Sequence, residues 1–342
     1  MNSNKVIIFL GKRFELCKAF GLFGKENLIY KSEFDHTIYT NSDFVTYFFP
    51  ELNCDLVFVS GEFRIDSVIQ SYTEGIIVVS ENDVLNNRCE LYRQKYPNFK
   101  LMFLWMYGEV FTKKLLEKCK EANLDLILTG SNQKGITDIA VFDPKLCFKF
   151  FYYYIGYYYL TDLFSNLGNK KYDNNQLPIF TYSKASNTSS WRKPILDRLH
   201  SNYPNKIQNG NSINDSYDLE FTKYKHFETI NDYTYKNYIL IFETINNGNN
   251  EEYFITEKTF KGLFFGNPFY LIAPNDLVKE VSKEFYLLNS EFNTIDDFVG
   301  SNNLDLQFEE HIKKSKENHK KLIDYIKDYS YTEYFKKLLY GT

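Results

Sequence analysis

Residues 253–272 read YFITEKTFKGLFFGNPFYLI, and their reading decides the fold. Thr256 is a natural N-cap for a helix that starts at Glu257. Phe260, Leu263 and Phe264 then share one helical face, so the helix has an apolar side to bury. Gly266 can close it in a left-handed conformation, and Pro268 forbids its continuation. FYLI, 269–272, is a short apolar run of strand length. Upstream, YKNYILIFET at 235–244 is a second such run, followed by the polar loop NNGNNEE. Strand, loop, helix and strand in this order imply a parallel crossover, whose strands are buried on both faces.

The same alternation runs through the first half. KVIIFLG (5–11), CDLVFVS (54–60), GIIVVSEN (75–82), KLMFLWMYGE (100–109) and LDLILTGSN (124–132) are strand candidates. KRFELCKAFGLF, FRIDSVIQSY and EVFTKKLLEKCKEANL lie between them with helical spacing. In the second half IFTYSKA reads as a strand and SWRKPILDRLHSNY as a helix. Residues 165–178, SNLGNKKYDNNQLP, are polar and have the composition of a linker. The expected organisation is α/β: a Rossmann-like domain over 1–165, a second over 178–330, and a helical tail at 331–342. Two such domains facing across a cleft would hold a ligand at the carboxyl ends of their strands.

Composition narrows the function. The 342 residues carry 25% charged side chains and a formal net charge of −4, so the basic excess of a general nucleic-acid binder is missing and no nucleic-acid partner is expected. The five cysteines (Cys17, Cys54, Cys89, Cys119, Cys147) contain no Cys-x-x-Cys pair, and the histidines have no His-x-x-x-His spacing. Neither a metal site nor a disulfide framework is therefore expected, and a reducing compartment fits. The five-residue apolar run after Lys5 is too short for a signal or a span. FKFFYYYIGYYYLTDLF, 148–164, is interrupted by Lys149 and Gly156 and reads as a buried or interfacial aromatic segment. A cytoplasmic protein without a membrane span is the expectation.

Two constellations carry chemistry. Glu243 ends the strand YILIFE, and the helix from Glu257 begins just beyond the loop that follows. The N–H groups at that helix start favour an anion, Lys258 adds a positive charge, and Glu257 offers an acceptor suited to a ribose hydroxyl pair. A nucleoside diphosphate satisfies both. In SKASNTSSWRKPILDRL, Arg192 stands near a helix start, where its guanidinium can meet a phosphate bidentately, while Arg198 reads as a surface residue.

Taken together, FETINNGNNEEYFITEKTFKGLFFGNPFYLIAP resembles the donor-binding signature of the α1,3-fucosyltransferases, glycosyltransferase family 10: Phe-Glu-Asn, a short loop, Tyr-Val-Thr-Glu-Lys, a helix and Gly-x-Pro. SKASNTSSWRKPILDRL and NTIDDFVGSNNL (293–304) are similar to two further segments of that family. The resemblance covers 178 to about 325. It implies a GT-B fold, with Arg192 and Lys258 on the diphosphate of a GDP-sugar, Glu257 on the ribose, and Glu243 and Thr256 in the same donor motif. Two positions depart from the family: Thr244 replaces its Asn, and Phe254 replaces its Tyr. Both bear on which sugar is carried.

The resemblance further implies transfer with inversion. No Asp-x-Asp occurs in the chain, and Arg, Lys and a helix dipole can stabilise a leaving diphosphate without a metal. The nucleotide-sugar is then a substrate, with no cofactor besides. Inversion requires a carboxylate base for the acceptor hydroxyl. The family places it after a strand of the first domain in a Gly-Glu-Asn context. Glu81 in IIVVSEN matches the Glu-Asn half and Glu109 in LMFLWMYGE the Gly-Glu half, with the next strand favouring Glu109; Glu62 in VFVSGEF is a third candidate. The resulting expectation is an inverting, metal-independent transfer of a sugar, fucose from GDP-fucose foremost, to a hydroxyl of a glycan acceptor. Two alternatives stay open. One is the same scaffold with another nucleotide-sugar or a non-glycan acceptor such as modified DNA. The other is a non-catalytic glycan- or partner-binding protein, to which the aromatic content also points.

Overall fold

The computed structural model describes residues 5–10, 29–31, 36–39, 54–59, 65–105, 111–149, 179–181, 191–209, 238–243, 253–327 and 332–341. The chain divides into two compact units, 1–155 with 327–342, and 156–326. The α/β class read from the alternation is observed in both. The residues expected to link the two domains, 165–178, lie outside the described residues.

The first unit is built on one eight-stranded sheet. Its strands are β1 (Lys5–Leu10), β2 (Ile29–Lys31), β3 (His36–Tyr39), β4 (Asp55–Val59), β5 (Glu74–Val79), β6 (Phe99–Trp105), β7 (Leu126–Thr129), the short β8 (Ser131–Asn132), which lies outside that sheet, and β9 (Val141–Phe142). They run in the order β2-β3-β4-β1-β5-β6-β7-β9. From β4 to β9 every neighbouring pair is parallel. Val6, Ile7, Ile8 and Phe9 are all buried, which is what a strand covered on both faces requires. On one face Val6 and Ile8 join Val57, Ile77, Leu101 and Phe103 in a single core. Helices α1 (Ile65–Ile69), α2 (Glu81–Leu85), α3 (Arg88–Lys95) and α4 (Lys113–Glu121) supply the connections. β2 and β3 add an antiparallel edge that the sequence reading did not anticipate.

The second unit carries a smaller sheet of β10 (Ile179–Thr181), β11 (Ile207–Asn209), β12 (Tyr238–Phe242) and β14 (Phe269–Ile272), ordered β11-β10-β12-β14 and parallel throughout. The short strand β13 (Tyr253–Phe254) precedes the helix that leads to β14. All five residues of β12 are buried, and its register pairs Ile239 with Phe269 and Phe242 with Ile272. The helices are α5 (Arg192–Asn202), α6 (Glu257–Phe264), α7 (Asn275–Ser282), α8 (Ile295–Gly300) and α9 (Leu304–Lys327). Tyr238, Phe242, Tyr270, Phe298 and Phe308 form the centre of its core.

The stretch at 253–272 folds as its sequence dictates. Thr256 is the N-cap of α6 and its hydroxyl accepts from the Lys258 N–H. Phe260, Leu263 and Phe264 are buried. Gly266 adopts φ +60°, the left-handed conformation expected at the helix end. Gly262 explains how closely α6 lies on the sheet, because a Cβ there would stand 2.6 Å from Ile241 Cδ1 and 2.9 Å from the Phe269 ring.

The last helix, α10 (Thr332–Tyr340), groups with the first unit, although the sequence reading set 331–342 apart as a tail. Phe335 is the cause: its ring packs 6.3 Å from that of Phe9, on the sheet face opposite the Val6 and Ile8 side chains. Lys5 Nζ donates to the Leu339 carbonyl at 3.3 Å, and the Tyr334 hydroxyl donates to Asp143 at 2.7 Å.

Candidate functional site

In the second unit the residues singled out from the sequence converge at the carboxyl end of β12. Glu243 directly follows that strand, and its N–H donates to the Ile272 carbonyl of β14 at 3.0 Å. Its side chain is 0% exposed. A carboxylate that deep must have its oxygens hydrogen-bonded, and the start of α6 provides the donors. Oε1 accepts from Thr256 N–H at 3.0 Å, Thr259 N–H at 3.3 Å and the Thr259 hydroxyl at 2.6 Å. Oε2 accepts from the Thr256 hydroxyl at 2.5 Å.

This changes the reading of the helix start. The N–H groups of Lys258 and Thr259 already meet internal acceptors, Thr256 Oγ1 and Glu243 Oε1. Part of the positive end of the helix is thus balanced by a carboxylate within the chain. Glu243, expected in the donor-binding motif at the carboxyl end of its strand, turns its side chain inward. Thr256 is buried for the same reason.

Two cations stand near Glu243. Arg192 is the first residue of α5 and only 6% exposed. Its Nη2 lies 3.4 Å from the Glu243 carbonyl oxygen, and its guanidinium carbon sits 5.5 Å from the centre of the Trp191 ring. That ring packs in turn on Phe242 at 5.9 Å. Pro194, in the first turn of α5, leaves the helix intact because no intrahelical donor is needed there. Lys258, half-buried, places Nζ 3.5 Å from Thr256 Oγ1. Arg192 and Lys258 therefore both reach Glu243, one at its carbonyl and the other through the Thr256 hydroxyl.

The remaining expected residues fall as follows. Glu257 opens α6. Phe254 is buried in β13. Thr244 lies outside the described residues, as do Glu109 and Glu62. Glu81 is the exposed first residue of α2, at the carboxyl end of β5. The Ser80 cap and Asp83 form a capping box around it: Asp83 accepts from Ser80 N–H at 2.9 Å and from the Tyr92 hydroxyl at 2.9 Å. In the segment 293–304, Asp297 caps α8 by accepting from Thr294 N–H at 3.0 Å, and Phe298 is core. Arg198 is paired with Asp296 at the surface. Only Phe148 and Lys149 of the aromatic run 148–164 are described, both buried.

Sequence reasoning passed over Thr259. The signal was present, since a hydroxyl at the third position of a helix capped by Thr256 faces the same end of the helix as the cap. It also passed over Trp191, whose place before Arg192 gives that cation an aromatic face.

Elsewhere, Cys54, Cys89 and Cys119 are buried, and burial pushes each thiol up to about 12. Among the described residues no group of three or more His, Cys, Asp or Glu is placed to hold a metal ion. No helix among them is long and apolar enough to cross a membrane.

No family model and no curated protein sequence matches the chain. Among solved structures, it is similar to an α1,3-fucosyltransferase with GDP-fucose, at 14% identity and a TM-score of 0.42, over 94% of this chain and 80% of that one. It is also similar to an α,α-trehalose-phosphate synthase (UDP-forming) from Burkholderia vietnamiensis, at 9% identity and a TM-score of 0.47, over 99% of this chain and 100% of that one. The site itself is the basis for a functional reading.

Proposed function

We propose that the chain is a glycosyltransferase of GT-B type that takes a nucleoside-diphosphate sugar, GDP-fucose foremost, and transfers the sugar with inversion to a hydroxyl of a glycan. The observation that carries this reading is the pair of cations, Arg192 and Lys258, gathered around Glu243 at the carboxyl end of β12. Open α/β sheets hold ligands at that end of their strands. Arg192 suits bidentate contact with a phosphate, and Lys258 acts as a point charge. In this reading the two neutralise the diphosphate as it leaves, and Glu257 accepts from the ribose hydroxyls. No metal is required for that stabilisation. Glu81 and Glu109 are the candidates for the base that takes the acceptor proton.

The reading is tested by calorimetry with GDP- and UDP-sugars, followed by nucleotide release on incubation with acceptor glycans. Binding of a GDP-sugar, lost in Lys258→Ala with the fold intact, is the expected result. Absence of binding to every GDP- and UDP-sugar would sink it.

One observation favours a second reading within the same class. Phe254 carries no hydroxyl and is buried, where the family motif has a tyrosine. A sugar other than fucose is then the donor, and a screen of nucleotide-sugars for release of the free nucleotide separates the two.

A further inference from the structure

We infer that Glu243 is a positioning residue, which holds Arg192 and Lys258 side by side for a diphosphate and does not itself touch the ligand. The inference rests on the nucleoside-diphosphate reading above.

Two like charges on different helices repel, and holding them at one strand end needs fixed acceptors. Glu243, fully buried, offers its carbonyl to Arg192 and fixes the Thr256 hydroxyl that faces Lys258. Its two oxygens are held by two hydroxyls and two backbone N–H groups, all from Thr256 and Thr259. Its own backbone is held to β14 through Ile272. The carbonyl oxygen then meets Arg192 Nη2 at 3.4 Å.

The link to Lys258 is directional. A threonine hydroxyl has one proton, and that of Thr256 is committed to Glu243 Oε2 at 2.5 Å. The lone pairs left on Thr256 Oγ1 face the Lys258 N–H at 3.2 Å and the Lys258 ammonium at 3.5 Å. Without the carboxylate the hydroxyl is free to rotate, and Lys258 loses a fixed acceptor. In Glu243→Gln the amide Nε2 would oppose donors from Thr256 or Thr259, leaving a buried mismatch. Recognition of the second phosphate therefore depends on Glu243, and recognition of base and ribose does not.

The test compares GDP with GMP, and UDP with UMP, by calorimetry on the full chain. The wild-type chain prefers the diphosphate of at least one pair. Glu243→Gln and Thr256→Val lower that preference by about tenfold or more, the size of one lost charge-assisted hydrogen bond. Thr256→Ser, which keeps the hydroxyl, retains it. A purely structural role would lower the melting temperature and leave the diphosphate-to-monophosphate ratio of the folded protein unchanged, and that result overturns the inference. If Glu243→Gln does not fold, Thr256→Val and Thr259→Val, which keep the side-chain shape, decide it: an unchanged ratio in both overturns it. A wild-type chain that binds none of the four nucleotides overturns the functional reading and this inference with it. Binding with the ratio intact in every variant overturns this inference alone.

Discussion

The Thr259 hydroxyl donates to Glu243 Oε1 at 2.6 Å, across the step from the carboxyl end of β12 to the start of α6. The same oxygen accepts the Thr259 N–H at 3.3 Å, so one residue delivers two donors to one buried acceptor. Thr259→Val keeps the volume and removes the hydroxyl. The expected cost is about 1.5–3 kcal/mol, the range for a hydrogen bond to a charged group. Urea denaturation at neutral pH measures it, with an unchanged slope showing that the fold is retained.

Lys258 is half-buried and its side chain contributes little to the core. Lys258→Ala is expected to leave the melting temperature close to that of the wild type. Affinity for a nucleoside diphosphate is expected to fall about tenfold to a hundredfold, since one ammonium–phosphate contact is removed. Calorimetry beside a thermal melt checks both halves. A large loss of stability would mean that Lys258 is chiefly structural.

Gly262 sets the distance between α6 and the sheet. In Gly262→Ala the new methyl would press on Ile241 and Phe269, both buried. Overpacking of this kind costs about 1–3 kcal/mol, against which the better helix propensity of alanine recovers about 1 kcal/mol. A net destabilisation is expected in chemical denaturation. A stabilised variant would show that the sheet side chains yield.

What could be read in the sequence follows from pattern length. β1, β5, β6 and β12 are near-continuous apolar runs of five to seven residues, and helix α6 carries its cap, its apolar face and its terminator within the eleven residues from Thr256 to Gly266. Each is legible because local chemistry and burial agree. β2 and β3 have only three and four residues, too few to show a period. The direction of the Glu243 side chain was equally hidden. A carboxylate at a strand end can face ligand or protein, and here Thr256 and Thr259, more than a dozen residues later, decide it. The docking of α10 was masked by its lysines, although Phe335 and Leu339, four residues apart, form its buried stripe.

The last prediction concerns acid stability in the second unit. His311 is buried between Tyr238, whose hydroxyl lies 2.9 Å from Nδ1, and Glu291, whose Oε2 lies 2.8 Å from Nε2. Glu291 Oε1 also accepts from the Tyr286 hydroxyl at 2.7 Å and from Lys314 Nζ at 2.8 Å. Burial alone would push the Glu291 carboxyl up. The hydrogen bonds from Lys314, Tyr286 and His311 outweigh it and bring the group from 4.5 down to about 2. A carboxyl depressed on folding binds its proton more readily in the unfolded chain. Its stabilisation is fully present above pH 4.5 and is lost as the pH falls toward 2. In Glu291→Gln that part of the acid dependence disappears, so the stability difference between wild type and variant shrinks steadily from pH 5 to about pH 2. Denaturation midpoints measured across that range check it. A difference that stays constant with pH would mean that the Glu291 carboxyl is not held in its ionised form by these three donors.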